Sequence, residues 1–318
     1  MISLAGLLQA AASATQFTLT PGAPGPGGPP PGFSTREAFF QLAQFVGWFL
    51  AIGSIGFRFG IVRRVRPMSD EAMSILRAEN AARLGMLGVI LLFLAFVGGP
   101  YVNSIVTDKG FVASLPRNLA AFELKMALLT VALLGFALVR AAVPAGWTIA
   151  AIAVLITVLQ PLYTGRIAGK VNAVHILAAS TWLGTLLVLT LIGVRGVIKS
   201  DSTGARRAEL VADLVNSFSP LALAAATIVA ATGVTTAWLH LKRLSALWTT
   251  SYGIALLTKL AFVAMVVVLG AWNWCRVRPS LGGEGSEETI RRSATLELIF
   301  AALVLIATSV LVTLPSPR

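Results

Sequence analysis

Two histidines, His175 and His240, are the imidazoles of a 318-residue chain that holds a single cysteine, Cys275. Neutral imidazole nitrogen is a good donor to copper and zinc, so two such side chains meeting at one place make a usable metal site. One cysteine excludes an intramolecular disulfide and a Cys-rich metal cluster. No thiolate or carboxylate group completes a closed tetrahedral site, and Met126 and Asp108 are the further candidate ligands. Glu123, Lys125, Lys259 and Glu297 are ionisable groups inside apolar stretches, where such residues usually face a partner or a cavity. Glu123 and Lys259 fall at similar depth by residue count, which allows a buried ion pair, whereas Lys125 is expected to snorkel to the interface. There is no Ser-His-Asp set, no HExxH and no phosphate-binding loop, so the chain does not read as an enzyme.

The elements that must position these groups are eight long apolar runs, at roughly 39–62, 85–106, 119–140, 146–164, 172–194, 216–240, 253–275 and 293–314. About 20 apolar residues cross the hydrocarbon of a bilayer as a helix. Hydrophobic residues make up 56% of the chain and charged residues 12%, where a soluble domain carries about a quarter charged residues. The runs are too long and too uniformly apolar for the alternating strands of a barrel. The expected fold is an all-α bundle of eight transmembrane helices.

The net charge of +12 could suit nucleic acid, but its distribution suits a membrane. Basic residues concentrate in alternate loops: Arg63, Arg64, Arg66, Arg77 and Arg83; then Arg140; then Arg195, Lys199, Arg206 and Arg207; then Arg276, Arg278, Arg291 and Arg292. The intervening loops and termini carry fewer. An excess of Lys and Arg marks the cytoplasmic side, so both termini are expected outside, in a multi-pass protein of a bacterial inner membrane. These charges suit anionic headgroups as well as any polyanion, and no nucleic-acid partner is expected.

Residues 1–35 form an extracytoplasmic tail, with a short apolar segment at Ile2 to Ala14 and a Pro/Gly linker at Pro21 to Gly32. The apolar segment is too short to span and is expected to lie on the bilayer or on a partner. Residues 36–166 make a first four-helix half and 167–318 a second. The loop at 64–84 has an N-cap in Ser69 or Asp70 and helical spacing at Met73, Leu76, Ala81 and Leu84. It reads equally as a surface amphipathic helix or as an extension of the second span. His175 opens the fifth span and His240 closes the sixth, so both imidazoles are expected at the outer surface at comparable shallow depth.

The second half resembles a known family. NAVHILAASTWLGTLLVL, residues 172–189, is similar to the histidine-then-tryptophan-glycine helix of the copper-resistance protein D (CopD) family. The stretch 218–281 is similar to the family's core. Its ordered series is Phe218-Ser219, Thr232-Gly233, Leu247, Thr250, Tyr252, Gly253, Lys259 and Asn273. The resemblance implies an inner-membrane protein for copper uptake or copper tolerance. It implies copper reception at His175, with His240 as a second ligand. Trp182, Glu123, Tyr252 and Lys259 are expected to line or support the path beneath. Relatives often work beside a periplasmic copper-binding protein, and the Pro/Gly tail here carries no histidine, and no methionine after Met1. The extracellular copper-loading function is therefore expected to be either absent or supplied by another chain. Two other classes stay open: a haem-binding electron-transfer protein using both histidines, and a non-catalytic or assembly subunit of a larger membrane complex.

Overall fold

Apolar runs of this length fold as helices in lipid because every backbone N–H and C=O must be satisfied within the segment. Eight helices of the computed structural model are long and apolar enough to span. They are α1 Thr35–Val62, α2 Glu79–Val106, α3 Leu119–Arg140, α4 Ala145–Tyr163, α5 Ile167–Ile198, α6 Arg206–Leu239, α7 Ser251–Cys275 and α8 Arg291–Thr313. The structure describes residues 34–65, 78–108, 110–199, 204–241, 243–277 and 286–314. Among these, all regular structure is helical, and the all-α bundle is the fold. Residues 66–77 of the loop at 64–84, with Ser69, Asp70, Met73 and Leu76, lie outside the described residues, as does the tail at 1–33. From Ala78 the chain already runs continuously into α2.

We name the faces of the bundle by its ends: Thr35 and Thr313 mark the first face, Val62 and Arg291 the second. Side-chain caps define several helix starts. Ser34 accepts from the Glu37 amide at 3.3 Å, Asn118 from that of Ala121 at 3.1 Å, and Thr250 from that of Gly253 at 3.0 Å. Each satisfies a donor left without an intrahelical partner.

Lipid tails supply no hydrophobic drive between helices, so close backbone approach and shape decide the packing. α1 sits centrally against α2, α5 and α8. Trp48 and Phe57 of α1, Phe136 of α3, Trp147 of α4, Val188 of α5 and Leu214 of α6 share one buried cluster. The two sequence halves thus meet through α1. The crossing of α1 with α5 depends on two glycines: a Cβ on Gly53 would lie 2.3 Å from the Gly184 carbonyl, and one on Gly184 would lie 2.3 Å from the Phe49 carbonyl oxygen. Here α5 makes a π-helical turn at Ser180–Gly184. A second cluster, Phe49, Leu183, Val266, Ala301 and Val304, fastens α7 and α8 to this crossing. Large apolar side chains such as Leu94, Leu134, Ile152 and Val268 are exposed on the outside of the bundle.

Candidate functional site

The helix carrying His175 begins earlier than the sequence reading placed it. α5 starts at Ile167, so His175 lies eight residues inside, about 12 Å from the helix start at 1.5 Å per residue. α5 packs against α6, and this brings the half-buried imidazole to Thr232, with His175 Nδ1 2.9 Å from Thr232 Oγ1. The tautomer follows from proton counting. A threonine hydroxyl has one proton and two lone pairs. The Thr232 hydroxyl is 2.6 Å from the Ile228 carbonyl oxygen and 3.2 Å from that of Val229, so its proton goes to the backbone. Its oxygen is then an acceptor toward His175. With the Thr232 oxygen accepting, Nδ1 carries the hydrogen and Nε2 the lone pair. A ligating histidine is usually held this way, donating its other N–H to an oxygen that fixes ring and tautomer.

Gly233 leaves the adjoining edge of the ring uncrowded: a Cβ there would stand 3.5 Å from His175 Cε1, ordinary contact. Lys259 of α7 is near enough for its charge to act on His175. Two groups from the sequence reading, His175 and Lys259, are thus brought together, and Thr232 joins them.

The remaining candidates fall elsewhere. The α6 helix continues to His240, eight residues or about 12 Å beyond Thr232 along the axis, and the His240 side chain lies outside the described residues. The two histidines are therefore offset in depth by about two turns, a correction to the expectation of comparable shallow depth. Glu123 is exposed on α3, a helix packed on α2 and α4. Among the described residues no ion pair joins Glu123 to Lys259, because equal depth does not put two helices side by side. Trp182 packs between the two main clusters as a core residue. Tyr252 is buried with Leu256 and Leu311 where α7 meets the end of α8. Met126 packs on the main core, and Asp108 is exposed. The Lys125 ammonium stands 4.4 Å above the Phe96 ring. That cation–π contact anchors it, on the wall of a cleft of about 680 Å³ lined also by Arg36, Gln41, Gln44, Asn103 and Gln160. Among the described residues no three of His, Cys, Asp and Glu gather to hold a metal ion.

Sequence reasoning missed one polar constellation. Asn273 Nδ2 of α7 donates to Glu297 Oε1 of α8, and Ser293 Oγ donates to Asn273 Oδ1. Asn273 and Glu297 are separated by 24 positions and share no periodic signal. The available clue was a carboxyl placed inside an apolar run.

Residues 212–311 match the family model of copper resistance protein D. The C-terminal third of this membrane-spanning chain is thus similar to the CopD family. The copper transport protein CutJ of Bacillus subtilis (strain 168) is similar, with 29% identity over 143 residues, 45% of this chain and 24% of CutJ. The match thus spans about a quarter of the length of that relative. No solved structure matches the chain. Thr232, Gly233, Lys259, Asn273 and Glu297 fall inside the matched region, and His175 precedes it. The family-like residues around Thr250 have a structural role that the geometry makes plain. Thr250 caps α7, and a Cβ on Gly253 would lie 2.1 Å from the Ala246 carbonyl oxygen and 2.5 Å from that of Leu247. Only glycine allows the short helix Ala246–Thr249 to close onto α7.

Proposed function

We propose that this protein carries copper ions across the inner membrane into the cytoplasm, with His175 Nε2 as the receiving atom on the extracytoplasmic side. The observation that carries the reading is the His175–Thr232 pair, which leaves Nε2 as a free donor next to a helix pair of a copper-associated family. Imidazole nitrogen suits copper. The basic residues around the second face support its cytoplasmic orientation and put the first face, nearer His175, outside.

Lys259 gives the site a transient character. A like charge beside a bound cation weakens its hold, and conduction needs binding tight enough to admit an ion and weak enough to release it. His240, at the first-face end of α6, is a candidate earlier ligand on the same path rather than a partner at the same depth. Trp182 and Tyr252 support the helices around the path. No enzymatic step belongs to this reading. An extracytoplasmic copper-binding protein is the partner expected to deliver the ion. A haem held by both histidines needs imidazoles facing each other at matched depth, which the offset of about two turns does not favour.

Copper content and copper uptake of the purified protein in vesicles test the proposal. His175→Ala is expected to lose bound copper and uptake, and His240→Ala to lose less. Binding to the wild type should weaken on acidification, because a proton competes for the nitrogen that must be neutral to coordinate. A His175→Ala/His240→Ala variant that binds and moves copper like the wild type would overturn the site and favour an assembly or partner-subunit role.

A further inference from the structure

Glu297 is the one Asp, Glu, Lys or Arg among the described residues that is fully buried, with 6% of its surface exposed. It lies six residues into α8 from Arg291, about 9 Å from the second-face end of the span. A carboxyl in such a place is costly and usually has work to do. Its surroundings have a form that serves one kind of work. Asn273 donates its amide N–H to Glu297 Oε1 and accepts the Ser293 hydroxyl on its carbonyl. Ser293 and Glu297 are four residues apart and share one helix face. Asn273 opens a π-helical run, Asn273–Val277, and such irregular turns concentrate at functional sites.

Asn273 is amphoteric: its amide presents two donors on one side and an acceptor on the other. With the carboxyl ionised, the amide N–H faces Glu297 and the Ser293 hydroxyl donates to the amide oxygen. With the carboxyl protonated, the amide turns over. Its oxygen then accepts the Glu297 O–H, and its N–H₂ donates to the Ser293 oxygen. Every group stays hydrogen-bonded in both states, so gaining or losing a proton costs no orphaned buried partner. A purely structural pair would not need this symmetry, since a fixed carboxamide would serve.

The charged neighbours do not preoccupy the carboxyl. α8 packs against α7, α1 and parts of α5 and α6. The ionisable residues toward the second face of these elements are Arg58 on α1 with Arg63 and Arg64 just past its end, Arg195 on α5, and Arg206, Arg207, Glu209 and Asp213 on α6. Cys275 on α7 and Arg291 and Arg292 on α8 join them; the side chains of Arg276, Glu287 and Glu288 are outside the described residues. Lys259, also on α7, lies 14 residues nearer the first face. Among the described residues no salt bridge engages Glu297, and its side-chain hydrogen bond comes from Asn273.

We infer that Glu297, with Asn273 and Ser293, is a proton-binding site, and that its loading and unloading accompany movement of the copper ion. The second half of this statement rests on the copper reading above; the first does not. The balance is simple: one proton is taken onto a Glu297 oxygen as an O–H bond and later leaves it to water at the second face, with no electron transferred.

The site is tested on the full chain in lipid by infrared difference spectroscopy across a pH titration, with no copper present. The wild type should show a protonated-carboxyl C=O band that titrates and shifts in D₂O. Glu297→Gln should lose it, Glu297→Asp should restore a titrating band, and Ser293→Ala should move its midpoint. Absence of any Glu297-dependent titrating band overturns the inference, and the Glu297→Asp and Ser293→Ala measurements decide it should Glu297→Gln fail to fold. The same variants in vesicles with an internal pH dye test the coupling. Glu297→Gln should bind copper as the wild type does and lose the copper-driven pH change. Equal copper uptake and equal pH change in both proteins would overturn the coupling while leaving the His175 reading intact. A wild type that shows the titrating band but moves no copper would overturn the transport reading and leave the proton site standing.

Discussion

His175 Nδ1 and Thr232 Oγ1 are 2.9 Å apart across the α5–α6 interface, and the threonine proton is already committed to its own helix backbone. That single arrangement decides which imidazole nitrogen is free. Thr232→Val keeps the shape and removes the acceptor, so the ring can turn or change tautomer. Copper affinity at His175 should fall by about 10- to 100-fold, the usual loss when an outer partner of a ligating histidine is removed. Thr232→Ser, which keeps the oxygen, should stay near wild type. Competition titrations against a copper chelator provide the affinities, and ring nitrogen NMR shifts report the tautomer directly. A Thr232→Val protein with the wild-type tautomer and affinity would show that Thr232 only packs.

Lys259 is the other group whose charge reaches His175. Two positive charges in a poorly screened interior repel, so replacing the lysine with an uncharged side chain of similar length should tighten binding. Lys259→Met is expected to raise copper affinity by about tenfold, equivalent to about 1.4 kcal/mol of relieved repulsion. Transport should slow at the same time, because the ion leaves less readily. Lys259→Arg, which keeps the charge, should leave affinity near the wild-type value. The chelator titration, paired with uptake rates in vesicles, separates the two effects; weaker binding in Lys259→Met would mean that the lysine supports the site rather than opposing the ion.

Span number and type were legible because length and hydropathy are local properties. Helix starts were less so. The fifth apolar run reads as 172–194, yet α5 begins at Ile167, and this is why His175 lies deeper than its spacing suggested. Depth along a span can be counted from residues, but which way a helix face points cannot. The Glu123–Lys259 pair failed for that reason: α3 and α7 have different packing partners. Thr232-Gly233 entered the sequence reading only as part of a family-like series, and the structure supplies its physical content as the cradle of His175. The Asn273–Glu297–Ser293 set joins two helices through side chains that follow no periodic pattern, so only three-dimensional placement exposes it.

The α1–α5 crossing should tolerate no side chain. Gly184→Val would place a Cβ 2.3 Å from the Phe49 carbonyl oxygen, a backbone atom that cannot move aside alone. Overpacking of this kind costs about 1–3 kcal/mol or more, and the melting temperature in detergent should drop clearly. Gly270→Ala on α7 is the matched control, because nothing lies within 4 Å of a Cβ there. It should melt at or slightly above the wild-type temperature, since alanine is a better helix former than glycine. Equal melting temperatures for the two variants would show that α1 and α5 do not cross at this contact.

Orientation can be tested with little engineering, because Cys275 is the single cysteine and is exposed near the second face. The orientation proposed from the basic loops puts that face in the cytoplasm. A membrane-impermeant thiol reagent should therefore leave Cys275 unlabelled in intact cells and label it once the membrane is opened. Ser245, exposed in the short α6–α7 connection at the first face, supplies the converse. Ser245→Cys in a Cys275→Ser background should label in intact cells. The pair is needed because lipid shielding alone could keep Cys275 from reacting, whereas shielding cannot explain labelling at position 245 from outside. The reverse pattern, with Cys275 reactive and position 245 protected in intact cells, would invert the bundle. It would put His175 near the cytoplasmic surface and turn the proposed receiving site into one of release.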